Sequence, residues 1–164
     1  MKPALLVIDF QKEFFSISQA CSDSLKLAVQ YINEAIALFR KEGFPIISIQ
    51  HKNVNEGLVP GNEGFDVHDS VKLEPQDVRI VKTYGNAFTK TALAERLREL
   101  GVDTVIITGF CAEECILSTY VGAEDNDFTP IILRSAIASD NPNRVKFVEE
   151  ISNLASIGAL KRFL

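Results

Sequence analysis

Three side chains in this chain are of types that together could hydrolyse a carbonyl compound: Cys115, Asp9 and Lys82. Cys115 lies in Gly109-Phe110-Cys111-Ala112-Glu113-Glu114-Cys115-Ile116, after the apolar run Val105-Ile106-Ile107-Thr108 and before a segment with helical spacing, Ile116, Tyr120 and Ala123. A thiol at a strand-to-helix junction sits where the helix N-terminus favours negative charge. The thiolate is the reactive form, and it would attack a carbonyl-type carbon. Asp9 closes the apolar run Ala4 to Ile8 and could take the thiol proton and return it to the leaving group. Lys82, after Val78-Arg79-Ile80-Val81, would hold Asp9 in place and stabilise the negative charge of the site. Backbone N–H groups of Cys111 and Cys115 would face the developing oxyanion, where one donor contributes about 3 kcal/mol in the transition state. Taken singly, each residue has an ordinary use: an Asp at a strand end forms turns or caps, a Lys before Thr83-Tyr84-Gly85 is a solvated turn residue, and a Cys at a helix start fills a small core space.

The elements that would position these residues can be read from periodicity. Leu5 to Ile8 reads as a buried strand and Asp23 to Lys41 as a helix, with Leu27, Tyr31, Ala35 and Leu38 at helical spacing and Gly43 as its stop. Phe44 to Ile49 is a second strand. Asn53 to Asp77, rich in Gly, Asn, Asp and Pro, is a long excursion of a kind often used for function. Val78 to Val81 is a third strand, Thr89 to Leu100 a helix closed by Gly101, and Asp103 to Thr108 a fourth strand. Cys115 to Asn126 is the next helix, Pro130 to Leu133 the fifth strand, Asn143 to Leu154 the last clear helix, and Ala159 to Arg162 a short terminal strand. Apolar strands alternating with helices predict a three-layer α/β/α, Rossmann-like fold, its sheet mostly parallel and covered on both faces. Ligands bind such sheets beyond the carboxyl ends of the strands. That rule collects Asp9, His51, Lys82 and the loop delivering Cys115 at one edge.

Composition narrows the function. The chain has 164 residues, 46% hydrophobic and 24% charged, with a net charge of −5. This suits one domain spanning residues 1–164. Basic residues are interleaved with acidic ones, as in Lys90 to Glu99, so nucleic acid is not an expected partner. The opening apolar run is too short for a signal peptide and no stretch reaches the roughly 18 apolar residues of a membrane span, which reads as a cytoplasmic protein. Three cysteines do not make a disulfide framework. The first strand is not followed by Gly-x-Gly-x-x-Gly, so no dinucleotide cofactor is expected. Cys111, Cys115 and a His do not complete a zinc site, and three residues between the two cysteines is not redox-motif spacing.

The chain resembles the isochorismatase-like cysteine hydrolase superfamily, which includes nicotinamidases and N-carbamoylsarcosine amidases. Three segments carry the resemblance: Leu5-Leu6-Val7-Ile8-Asp9-Phe10-Gln11-Lys12-Glu13-Phe14, Lys82-Thr83-Tyr84-Gly85-Asn86-Ala87-Phe88, and Gly109 to Thr119. It implies a six-stranded, mostly parallel sheet and an Asp9, Lys82, Cys115 triad without a cofactor. It also implies a cis peptide between Phe110 and Cys111 that turns the Cys111 N–H towards the oxyanion. Similar proteins are often dimers or tetramers, so a homo-oligomer is expected. Isochorismatases proper usually lack the Cys, so Cys115 favours hydrolysis of a C–N bond in a small amide, ureide or carbamoyl compound through a thioester. Nicotinamidases usually carry Asp-x-His after the second strand, where this chain reads Ile49-Gln50-His51, so no metal is expected. The usual Thr or Ser three residues before the nucleophile is Ala112.

Phe15, His51, Phe88 and Tyr120 are the candidate walls of an apolar substrate pocket. Two other readings stay open: vinyl-ether hydrolysis without covalent catalysis, and a catalytically silent scaffold that binds a partner.

Overall fold

The computed structural model describes all 164 residues. Six strands form one sheet: β1 (Pro3–Ile8), β2 (Ile46–His51), β3 (Val78–Lys82), β4 (Thr104–Phe110), β5 (Thr129–Ala138) and β6 (Leu154–Ala155). Their order is β3-β2-β1-β4-β5-β6, and every pairing is parallel. The expected mostly parallel sheet is therefore wholly parallel. Five helices cover it: α1 (Gln19–Glu42), α2 (Leu93–Glu99), α3 (Leu117–Asp125), α4 (Pro142–Ile151) and α5 (Ile157–Phe163).

The apolar strands are continuous rather than alternating because both faces of the sheet are buried. In β1, Leu5 and Val7 join the core under α1, with Leu25, Ile32, Ile36, Phe39 and Leu160 of α5. Ala4, Leu6 and Ile8 point the other way, towards Leu93, Leu97, Ile116 and Val148. No helix is long and apolar enough to cross a membrane.

The element boundaries differ from the sequence reading where caps decide them. The Ser18 hydroxyl accepts the Cys21 N–H and starts α1 at Gln19, four residues before Asp23, and Gly43 ends it at φ 71°. The expected helix over Thr89 to Leu100 begins only at Leu93. Asn86 and Thr91 there bond backbone groups of nearby residues and hold a turn instead. Ala159 to Arg162 is not a strand but the body of α5, because Ser156 caps a helix through the Ala159 N–H. The edge strand is the preceding pair Leu154–Ala155, where the helix was expected to continue.

Strand β5 runs five residues beyond Leu133. A register shift against β4 between Ile107 and Gly109, with Ser135 at φ 64°, brings Ile137 and Ala138 beside Gly109 and Phe110. Both strands then end at the same edge as β1. The long 52–77 segment folds back across this edge: Gln11 bridges Val67 in antiparallel fashion, and the His68 N–H donates to the Phe10 carbonyl at 2.9 Å.

Candidate active site

Asp9 is the first residue beyond β1, and the chain turns sharply there. Its φ is +51°, in the left-handed region that an Asp tolerates better than a branched residue, while its N–H donates to the Ile49 carbonyl at 2.8 Å. Its carboxylate is thereby held among the strand ends instead of continuing the pleat. The β4 partner of the preceding Ile8 is Gly109, at φ +118°, and a Cβ there would collide with the backbone of Ile8. The close approach of β1 and β4 that sets Asp9 next to the Cys115 loop therefore needs glycine at 109.

Lys82 ends β3, with its side chain running under the strand ends and fully buried. Its Nζ lies 2.7 Å from Asp9 Oδ2 and donates to Cys115 Sγ at 3.3 Å and to the Tyr84 carbonyl at 3.1 Å. His51 Nδ1 is a fourth neighbour, at 3.2 Å. Asp9, Lys82, Cys115 and His51, from four chain segments, are thus brought together around one ammonium group. The second Asp9 oxygen, Oδ1, is buried and has no hydrogen-bond partner.

Cys115 lies in a π-turn, Ala112–Ile116, that precedes α3. The peptide between Phe110 and Cys111 is cis. The Cys111 carbonyl accepts from the Glu114 and Ile116 N–H groups, both at 3.1 Å, whereas the Cys111 N–H has no acceptor within the protein.

Burial sets the proton distribution. It raises the Asp9 carboxyl above the ordinary carboxylate range, with Lys82 opposing. Burial, then the Asp9 charge, pushes the Cys115 thiol up to about 12, again against Lys82. Burial and the Lys82 charge both lower His51. At neutral pH the thiol is accordingly protonated and the imidazole neutral, beside an Asp9 carboxyl that burial makes more basic than a solvated one.

Two glutamines assigned no role from the sequence brace this arrangement. The fully buried Gln11 accepts the His51 N–H at 2.7 Å and donates to the His51 and Phe65 carbonyls. Gln50 also donates to the Phe65 carbonyl. They pin the end of β2 to the long loop. The only signal for Gln11 in the sequence was a polar residue three positions after an apolar strand, where a solvated turn is the ordinary interpretation.

A second polar cluster flanks the nucleophile loop. Cys111 Sγ donates to Glu113 at 2.9 Å, and Glu113 also accepts from Arg144 at 2.6 Å and Ser139 at 3.2 Å.

The expected pocket walls divide. His51 stands at the site. Phe15 stacks on His68 with ring centroids 3.8 Å apart, on the loop crossing the strand ends. Phe88 and Tyr120 are core residues instead. Phe88 stacks against Phe128, and the Tyr120 hydroxyl accepts the Asn153 N–H near β6. Tyr120 sits on α3 and Phe88 in the turn before α2, and both bury their apolar rings in the core rather than leave them in solvent. Phe14, not singled out from the sequence, lies 5.0 Å from the Phe110 ring beside the cis peptide.

The residues present do not fit a metal ion. Ile49 is in the core, His51 Nδ1 faces Lys82 Nζ, and no three His, Cys, Asp or Glu side chains are arranged to hold a metal ion. The larger clefts elsewhere, about 580 Å³ around Ile131, Leu160 and Phe163 and about 470 Å³ around Glu34 and Lys161, contain no cysteine.

This chain and its fold have known counterparts. Residues 3–157 match the isochorismatase domain family, and the chain belongs to that family of hydrolases. It is 30% identical to YddQ, an isochorismatase family protein of Bacillus subtilis, over 85% of this chain and 79% of that protein. It is 27% identical to the maleamate amidohydrolase of Pseudomonas putida, over 83% and 72%. In fold it is similar to the N-carbamoylsarcosine amidase of Thermoplasma acidophilum, with a TM-score of 0.83 and 24% identity, covering 96% of this chain and 97% of that one.

Proposed function

We propose that the protein hydrolyses a C–N bond of a small amide, ureide or carbamoyl compound, with Cys115 as nucleophile, Asp9 as general acid and base, and Lys82 as electrostatic support. The observation that carries this reading is the placement of Lys82 Nζ within hydrogen-bond distance of both Asp9 Oδ2 and Cys115 Sγ.

The sequence of steps follows from where the charges lie. A thiol near 12 is inert at rest, and a buried Asp whose carboxyl is raised is a stronger base than a solvated one. As Sγ attacks the carbonyl carbon, its proton passes to Asp9, and Lys82 turns from the carboxylate's counter-ion into that of the sulfur. The oxyanion forms where the Cys111 N–H is without a partner, an arrangement that supports its assignment with the Cys115 N–H to the oxyanion hole. Asp9 then protonates the leaving nitrogen, and the C–N bond breaks to leave a thioester on Cys115. In the second half a water gives its proton to Asp9 as it attacks the thioester. Collapse of that intermediate breaks the C–S bond and returns the proton to the departing sulfur.

Mass spectrometry of the protein exposed to a panel of small amides tests the reading. Turnover, with an acyl adduct on the Cys115 peptide after acid quenching, is expected. Hydrolysis of a panel member at undiminished rate by Cys115→Ala contradicts it.

A further inference from the structure

His51 is the one member of the buried cluster to which the reaction above gives no task. It is not a loose neighbour. Gln11 holds both its backbone N–H and its carbonyl, and the Lys52 N–H beside it donates to the Lys82 carbonyl at 2.8 Å. The imidazole is therefore carried on a braced strand end and has a fixed relation to Lys82.

The chemistry of its partner sets its tautomer. An ammonium group has three donors and no lone pair. Four groups crowd the three N–H bonds of Lys82, and a proton on Nδ1 at 3.2 Å would face those of the ammonium with no lone pair to accept it, so the geometry favours an Nδ1 without a proton. In a neutral imidazole the proton then resides on Nε2. Nε2 has no hydrogen-bond partner in the protein, and it is not among the side-chain atoms sealed from solvent without one. The site thus presents an N–H donor, open and unpaired, one imidazole width from the ammonium that touches Cys115 Sγ.

The charges around that donor restrict what it meets. Those acting on His51 are Lys82, Asp9 and Glu56. Lys82 is already matched by Asp9, and Glu56 adds a negative charge. On the other side of the nucleophile loop, Arg144 is matched by Glu113 and Asp140 together. The cations named here, Lys82 and Arg144, are each already paired with carboxylates, whereas a neutral carbonyl oxygen has a donor waiting.

From these contacts we infer that His51 Nε2–H is a specificity-determining donor that binds a second, uncharged carbonyl of the substrate, so that neutral diamides and ureides are preferred over amide-carboxylates and simple monoamides. The inference rests on the amide-hydrolase reading for the chemistry at Cys115, but the donor itself is testable without turnover.

The chain has two histidines, His51 and His68, so imidazole nitrogen NMR of the ¹⁵N-labelled full chain gives two ring systems, and His68→Gln assigns them. In the free protein His51 is expected to carry its proton on Nε2, and Lys82→Met is expected to abolish that fixed preference. Three matched probes are then titrated into Cys115→Ala: succinamide, succinamate and butyramide, which differ only in ending in a neutral amide, a carboxylate or a methyl group. Succinamide is expected to shift the His51 Nε2 signal and to bind about tenfold more tightly than the other two, a modest share of the discrimination that a buried hydrogen bond can provide. His51→Phe is expected to remove that preference, and His51→Gln, which keeps an N–H donor, to restore part of it. A proton on Nδ1, equal binding of the three probes, or no response at Nε2 overturns the inference. Acyl-adduct formation on Cys115 in the wild-type chain reports separately on the hydrolase reading. A protein with the predicted tautomer and probe preference but no adduct retains this subsite and lacks the proposed reaction.

Discussion

The Lys82 ammonium lies 2.7 Å from the Asp9 carboxylate, with both side chains almost wholly removed from solvent. Removing one partner of such a pair strands the other charge in a medium that cannot solvate it. The pair is placed by strand ends, β1 and β3, that are separated in the sheet by β2. A five-residue strand thus suffices to carry a lysine under its neighbour to the nucleophile.

The pair predicts opposite effects of its two members on the thiol. The Asp9 charge raises the Cys115 thiol and the Lys82 charge lowers it. Asp9→Asn should therefore abolish turnover yet speed alkylation of Cys115 by iodoacetamide at pH 8. Lys82→Met should slow both. Stopped-time labelling followed by peptide mapping reads the rates. Slower labelling in Asp9→Asn contradicts the charge assignment.

In the wild-type chain the alkylation rate should climb with pH through 9 and beyond. A thiol pushed up to about 12 is protonated below that value, so the thiolate fraction grows about tenfold per pH unit without a plateau in the ordinary cysteine range. A plateau near the ordinary value of about 8.5 would show an unshifted thiol.

Glu113 ties the nucleophile loop to α4 and predicts a pH-dependent contribution to stability. Burial works to raise its carboxyl, but hydrogen bonds from Cys111, Arg144 and Ser139 win, and it lies below its ordinary 4.5. A depressed carboxyl stabilises the fold above its unfolded value and loses that contribution as pH falls through the folded one. Glu113→Gln should cost about 1 kcal/mol at pH 7, and the gap should close as the pH is taken below 4.5. Urea unfolding at the two pH values measures it.

Gly109→Ala should cost more than about 3 kcal/mol, since it combines a φ of +118° with a collision against the Ile8 backbone. Gly43→Ala, also at positive φ but with open space around it, should cost about 1 kcal/mol. Equal losses would show that the β1–β4 approach is not tight.

Much of this was legible in the sequence because it follows from strand chemistry. Apolar runs ending in Asp9, His51 and Gly109 mark strands buried on both faces, Lys82 ends the half-exposed edge strand, and parallel strands present their ends at one edge. The cis peptide at Phe110–Cys111 was implied by motif resemblance alone, since nothing in local propensity specifies it. What escaped reading depends on side-chain hydrogen bonds that no periodicity records. Ser156 made a helix of the expected terminal strand, and Gln11 became a brace when it could as well have been a turn residue. Phe88, in a turn, and Tyr120, on a helix, went to the core because an aromatic ring reads the same in sequence whether or not a pocket lies beside it.

The account stands on Cys115 as the bond-forming atom. The direct test is the hydrolysis rate of the best small-amide substrate by Cys115→Ala relative to the wild-type chain, with folding checked by unchanged thermal unfolding. A loss of at least about a thousandfold is expected; a rate within a few fold of wild type would contradict covalent catalysis by this residue.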